Sequence, residues 1–178
     1  TGEGADEMLA GYDIFKEARI RRFWASQPDS KLRPLLLKTI YPDIPHLRDS
    51  NPAILKMFFG YKLNETGNPF YSHLLRWNNS NHIKKNLSPS YKEMLAGYSP
   101  VDELAEKLPD GFDKWDDLAK AQWLETTIFM SGYLLSSQGD RMAMANSVEG
   151  RYPFLDYRVI EFCSKLPAEF KLKGLTEK

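Results

Sequence analysis

The sequence predicts an all-α piece, and three observations carry that reading. Apolar residues recur at helical spacing through the two longest patterned stretches, residues 5–25 and 114–136. Ser88-Pro89 and Ser99-Pro100 each pair a capping hydroxyl with proline at the first helical position, and Ser50-Asn51-Pro52 opens another helix in the same way. Nothing alternates with a period of two, so no strand is expected.

In chain order, Met8, Leu9, Tyr12, Ile14, Phe15, Phe23 and Trp24 place a helix over 5–25, with Gly11 its weak point. Ser30 caps a helix through Ile40, with Pro34 in its first turn. Two prolines make Tyr41–Pro45 extended or turn. The helix opened at Asn51-Pro52 lines up Ile54, Leu55, Phe58 and Phe59 on one side. Asn64–Pro69 reads as loop, and Asn78–Asn81 as a second loop or a poorly helical linker. Asp113 is a candidate cap for the longest helix, Lys114 to about Ser136, whose wide apolar face implies burial. Asp156 caps a helix over Tyr157–Lys165. Gly174-Leu175 reads as a turn, with Thr176 at the N-cap of a further helix. There are no repeats and no low-complexity tract.

At 178 residues, 42% hydrophobic and 13% aromatic, the chain is about one domain in size and can fill a core. Its 24 basic residues balance 24 acidic ones, so no general attraction to nucleic acid or an anionic membrane arises. Cys163 is the one cysteine and allows no internal disulfide. No apolar run approaches the roughly 20 residues that span a bilayer, and no signal-peptide pattern opens the chain. A cytoplasmic protein is expected. Beginning inside a glycine turn without methionine, the chain reads as a piece of a larger domain.

Outside the motifs, simple roles suffice. His46, His73 and His82 are scattered and give no zinc pattern. Lys16, Arg19, Arg21 and Arg22 read as a solvated helix face, with phosphate or a partner protein the alternative. Trp24, Trp77, Trp115 and Trp123 read as core or interface anchors, and Cys163 as buried packing.

Two segments carry chemistry. Thr1-Gly2-Glu3-Gly4-Ala5-Asp6-Glu7 is a glycine-flanked acidic turn running into a helix, where a backbone can approach a ligand closely. Glu3 and Asp6 are three residues apart and share a side of the first turn. The alternative is that these acids only complement the helix dipole. The second segment, Gly139 to Asp156, sets Asp140, Arg141, Glu149 and Arg151 in an otherwise apolar stretch. Such charges are expected to be buried and paired. Small residues at Ala143, Ala145 and Ser147 suit close packing beneath a site.

The opening, continued by Ala10-Gly11-Tyr12, resembles the asparagine synthetase pattern Ser-Gly-Glu-Gly-(Ser/Ala)-Asp-Glu-x-x-Gly-Gly-Tyr. The second segment resembles that family's Asp-Arg-x-(Ser/Thr)-Met-Ala-x-(Ser/Gly)-x-Glu-x-Arg-x-Pro-Phe-Leu-Asp, and Glu177-Lys178 falls where the family places Glu-Lys. Two long matches in register are specific where a lone glycine loop is not. The resemblance implies the helical C-terminal part of an α/β adenine-nucleotide-binding synthetase domain of the PP-loop ATP pyrophosphatase type. The pyrophosphate loop, the ATP-binding strands and the N-terminal glutaminase domain do not occur in these residues, and the isolated segment is expected to be inactive.

Such enzymes use ATP and Mg2+ to convert aspartate to β-aspartyl-AMP, which ammonia from glutamine then converts to asparagine. By resemblance, Thr1 and Gly2 lie against the adenylate. Glu3 takes a proton from the attacking ammonia, Asp6 helps hold magnesium on pyrophosphate, and Lys178 stabilises charge at the α-phosphate. Expected partners are these small molecules, the N-terminal domains of the same polypeptide and a second copy in a homodimer. Three positions depart from the pattern. Thr1 keeps the usual serine's hydroxyl, Ala10 replaces glycine, and Ala143 lacks the usual hydroxyl, which bears on the acceptor. A related amidotransferase or lactam-forming ligase adenylating another carboxylate is the alternative enzyme, and a non-catalytic scaffold the alternative outside catalysis.

Overall fold

Short helices must each bury an apolar stripe against a neighbour, and in this computed structural model one of them serves most of the others. The structure describes residues 1–177. The helices are α1 (Ala5–Leu9), α2 (Asp13–Ala25), α3 (Leu37–Ile40), α4 (Pro45–Arg48), α5 (Pro52–Phe59), α6 (Leu74–Asn81), α7 (Pro89–Met94), α8 (Pro100–Glu106), α9 (Asp117–Leu124), α10 (Arg141–Ala145), α11 (Tyr157–Lys165) and α12 (Ala168–Lys171). Between α9 and α10 the backbone winds on without a break as a π-helix, Glu125–Asp140. The all-helical class therefore holds.

Local chemistry starts these helices where expected. Asn51, Ser88, Ser99 and Asp156 each accept a first-turn N–H, and proline follows the first three directly. Ser30 Oγ accepts from the N–H groups of Leu32 and Arg33, although the turn it starts is 3-10 over Arg33–Leu36 before α3.

Five expectations about single elements are corrected. Residues 5–25 form two helices, because Ala10 turns left-handed at φ 63° and Gly11 N–H folds back to Asp6 O. The residue that caps α9 is Asp116, since Asp113 is taken up in a 3-10 turn and Trp115 is extended. Residues 78–81 are helical despite their asparagines; buried Leu75 and the packing of Trp77 on Phe70 and His73 override propensity. The long helix buries Met130 but leaves Ile128, Phe129 and Tyr133 exposed. Finally, Thr176 does not cap a helix. It pairs with Lys173 in a ribbon of two-residue strands, β1 (Leu172–Lys173) and β2 (Thr176–Glu177), turned at Gly174. Two residues per strand cannot display a period.

Helix α2 joins two cores. Its Ile14 and Phe15 pack with Ala10, Leu118, Ala121 and Leu172, while Ile20 and Trp24 pack with residues of α3, α4, α5 and α6. Between them lies the largest correction, the basic run that reads as a solvated face. Arg21 is fully buried and donates to the carbonyls of Phe59 (3.0 Å), Tyr61 (2.5 Å) and Tyr71 (3.3 Å). Arg22 donates to Thr66 O and pairs with Asp117 at 2.9 Å. Both guanidinium carbons sit 4.7 Å from the Tyr71 ring centre. Arg19 donates to Leu172 O (2.7 Å) and Gly174 O (3.0 Å). Glu17, also buried, pairs with Arg76 at 3.2 Å and accepts from Tyr41.

Arg21→Leu leaves three carbonyls without that donor and is expected to lower the unfolding free energy by about 3 kcal/mol or more. Arg21→Lys should recover only part, having a point charge in place of a fork. Urea unfolding of the three proteins checks this, and equal midpoints would refute it.

Candidate active site

The acidic turn is built by what it lacks. Gly4 adopts φ 92°, and a Cβ there would stand 2.4 Å from Leu155 Cδ2. Glycine thus lets the turn lie directly on Phe154 and Leu155. The terminal ammonium of Thr1 donates to Arg151 O at 2.7 Å, and Glu3 N–H donates to Thr1 Oγ1 at 3.3 Å. The two motifs, 150 residues apart, therefore meet. Behind them Tyr152 folds its hydroxyl over Gly150, where a Cβ would lie 2.6 Å from the oxygen.

Three carboxylates in one heptapeptide occupy three environments. Glu3 is half-buried at the turn and Asp6 is exposed. A Cβ on Gly11 would lie 2.0 Å from Asp6 Oδ1, so the glycine leaves that carboxylate room. Glu7 is 1% exposed and accepts from Tyr12 Oη at 2.8 Å. Burial pushes the Glu7 carboxyl above its ordinary range, and its hydrogen bonds offset this only in part; the nearby Asp6 and Glu125 carboxylates add to the rise. Burial beside Glu7 likewise pushes the Tyr12 phenol up.

Thr1, Gly2, Glu3 and Asp6 thus lie together on one turn, whereas Lys178 falls outside the described residues. The expectation of buried charges in the second segment is corrected. Asp140, Arg141, Glu149 and Arg151 are all exposed, and Glu149 pairs with Arg151 at 2.5 Å on the surface. What the segment buries in part is the apolar end, Phe154 and Leu155. Two clefts exist elsewhere, one of about 210 Å³ between α2 and α9 and one of about 650 Å³ between α6 and α8. Neither touches Thr1–Glu7.

The profile of one protein family, Asparagine synthase, matches residues 1–178. The chain belongs to the asparagine synthase family. Its relatives include amidase chyE of Penicillium rubens, 30% identical over 99% of this chain and 27% of that protein. The glutamine-hydrolyzing asparagine synthetase 1 of Bacillus subtilis strain 168 is 30% identical over 100% of this chain and 26% of its own length. Amidase chry2 of Gibberella zeae is 26% identical over 97% and 26%. The chain thus spans about a quarter of the length of these relatives. No solved structure matches it. Among the described residues, no helix is long and apolar enough to cross a membrane.

Ala10 adopts the left-handed region at the position where the resembled pattern carries glycine, the residue that region suits best. Among the described residues no group of three or more His, Cys, Asp or Glu side chains gathers as a metal cage. An exposed Asp6 fits a magnesium ion held mainly by phosphate oxygens and water, the usual mode for that ion. Sequence reasoning missed Gln122, which caps α1 from beneath. No local signal marks it, because its partners are backbone carbonyls far along the chain.

Glu7 supplies a pH test. Its folded pKa lies above the ordinary 4.5, so its contribution is fully present below that pH and is lost as pH rises through the folded value. Glu7→Gln keeps the acceptor for Tyr12 and is expected to be more stable than the parent at about pH 7, with a flatter profile above about pH 4.5. Thermal midpoints across that range check it, and parallel profiles would refute it.

Proposed function

We propose that this chain is the helical part of an ATP-dependent amide-forming ligase that makes asparagine from aspartate. ATP would activate the aspartate side-chain carboxyl as β-aspartyl-AMP with loss of pyrophosphate. Ammonia released from glutamine elsewhere in the full-length protein would then attack. The new C–N bond forms as the acyl–oxygen bond to AMP breaks, and the surplus proton on nitrogen goes to Glu3. A half-buried carboxylate on a rigid turn suits that task, because a base has to stand within hydrogen-bond reach of the attacking nitrogen.

In this reading Thr1 and Gly2 border the adenylate, the first with its hydroxyl already engaged by Glu3 N–H. Magnesium, when bound, neutralises charge on the departing pyrophosphate, and Asp6 is the side chain that would hold it. Lys178 would counter charge at the α-phosphate. The observation that carries the proposal is the meeting of the two family motifs, through Thr1 on Arg151 and Gly4 on Leu155, around one acidic turn.

A second reading has its own support. The two relatives chyE and chry2 are named amidases, not asparagine synthetases, and Ala143 lacks the hydroxyl common in the pattern. An acceptor carboxylate other than aspartate is then expected, with the same roles for Glu3 and Asp6.

The test is Glu3→Gln in the full-length protein, with pyrophosphate release and amide formation followed together. Amide formation is expected to fall about 10²–10⁴-fold. Unchanged turnover would refute the ligase reading. Pyrophosphate release with another acid from a substrate panel, with aspartate inert, would select the second reading.

A further inference from the structure

Helix α1 has five residues, and its own backbone leaves its C-terminal end open. The N–H groups of Ala10 and Gly11 both turn to Asp6 O, so among the described residues no backbone donor reaches the carbonyls of Glu7 and Met8. Gln122, buried on α9, fills that gap. Its Nε2 donates to Glu7 O at 2.6 Å and to Met8 O at 2.8 Å.

Its other atom meets an unusual partner. Gln122 Oε1 accepts from Lys171 Nζ at 3.1 Å, and Lys171 is 5% exposed. Among the described residues no carboxylate pairs with that ammonium. A buried cation facing a neutral oxygen costs stability, and a methionine would fill the space at lower cost. What the ammonium supplies is orientation. Lysine only donates, so the amide oxygen must face it and both N–H bonds must face α1. Burial pushes the Lys171 amine down from its ordinary range, and the nearby Cys163 and Asp116 oppose that shift only in part.

Lys171 closes α12 and is followed directly by β1. From the other side Arg19 holds the same hairpin through Leu172 O and Gly174 O. We propose that Lys171 and Gln122 are positioning residues, a relay that sets helix α1, and with it Glu3 and Asp6, against the hairpin whose sequence continues into Lys178. The proposal rests on the ligase reading above. It adds two residues that touch no substrate and act through α1.

The experiment uses the full-length protein with Lys171→Met, Lys171→Arg and Gln122→Glu. The last keeps a partner for Lys171 while removing both donors to α1. Two readouts are taken, hydrogen exchange of the α1 amides and steady-state amide formation. In Lys171→Met and Gln122→Glu, α1 exchange is expected to rise about 10-fold or more. The kcat should fall about 10-fold or more, with KM for ATP within about two-fold. Lys171→Met should keep or raise the thermal midpoint, so that its loss of kcat is not a loss of fold, and Lys171→Arg should restore most of kcat. Unchanged α1 exchange in both variants overturns the relay, as does unchanged kcat where Glu3→Gln is impaired. If Glu3→Gln is itself unimpaired, the ligase reading has failed, and exchange alone decides the relay.

Discussion

A helix of one hydrogen-bonded turn cannot hold itself in water, because nucleation costs more than so few bonds return. Helix α1 is such a helix; it carries Asp6, and the turn that holds Glu3 runs directly into it. Its geometry is therefore imposed from outside, at each end and from beneath. Leu155 receives the bare face of Gly4, Arg151 O takes the Thr1 nitrogen, and Gln122 closes the carbonyl end. Those partners lie more than a hundred residues away in sequence. The acidic turn has a defined shape only once the rest of the chain has folded around it.

Helix α2 is what brings those distant partners together. One half packs on α9 and β1, next to α1, while the other half anchors the helices from α3 to α6. Its arginines extend the grip where apolar packing ends. Arg21 gathers carbonyls from the loop after α5 and from the approach to α6, and Arg19 gathers those of the β1–β2 turn. Irregular segments expose carbonyls that no neighbouring N–H satisfies, and a guanidinium fork can satisfy several at once. A run of basic residues in this setting serves as interior mortar.

This explains which features could be read in advance. Caps at Asn51, Ser88, Ser99 and Asp156 were legible because donor and acceptor lie within three residues of each other. Thr1, Gly2, Glu3 and Asp6 were legible through a motif whose residues are contiguous. Arg21, Gln122 and Lys171 were not, since each is defined by a carbonyl or amide supplied from a distant segment. The misplaced cap shows the same limit at short range. Asp113 and Asp116 are equally good caps by chemistry, and only the fold of Phe112 against Trp115 and Trp123 decides between them. Charges at 140–151 were read as buried because apolar neighbours surround them in sequence, yet the chain turns their side chains outward.

The heptapeptide also shows why three acids so close in sequence need not compete. Charges on one helical turn repel, and that repulsion would hinder any anionic ligand that approached. Here the third acid is taken out of the field. Glu7 lies under the helix with its carboxyl raised by burial and hydrogen-bonded to Tyr12, which weakens its claim to a negative charge. Asp6 stands at the surface with Gly11 leaving room beside it, and Glu3 lies between the two in exposure. A helix end that buries one acid, half-covers a second and exposes a third keeps the structural acid apart from the two proposed to accept a proton and to hold a cation. That separation depends on burial depth, and burial depth depends on the contacts that hold α1 in place.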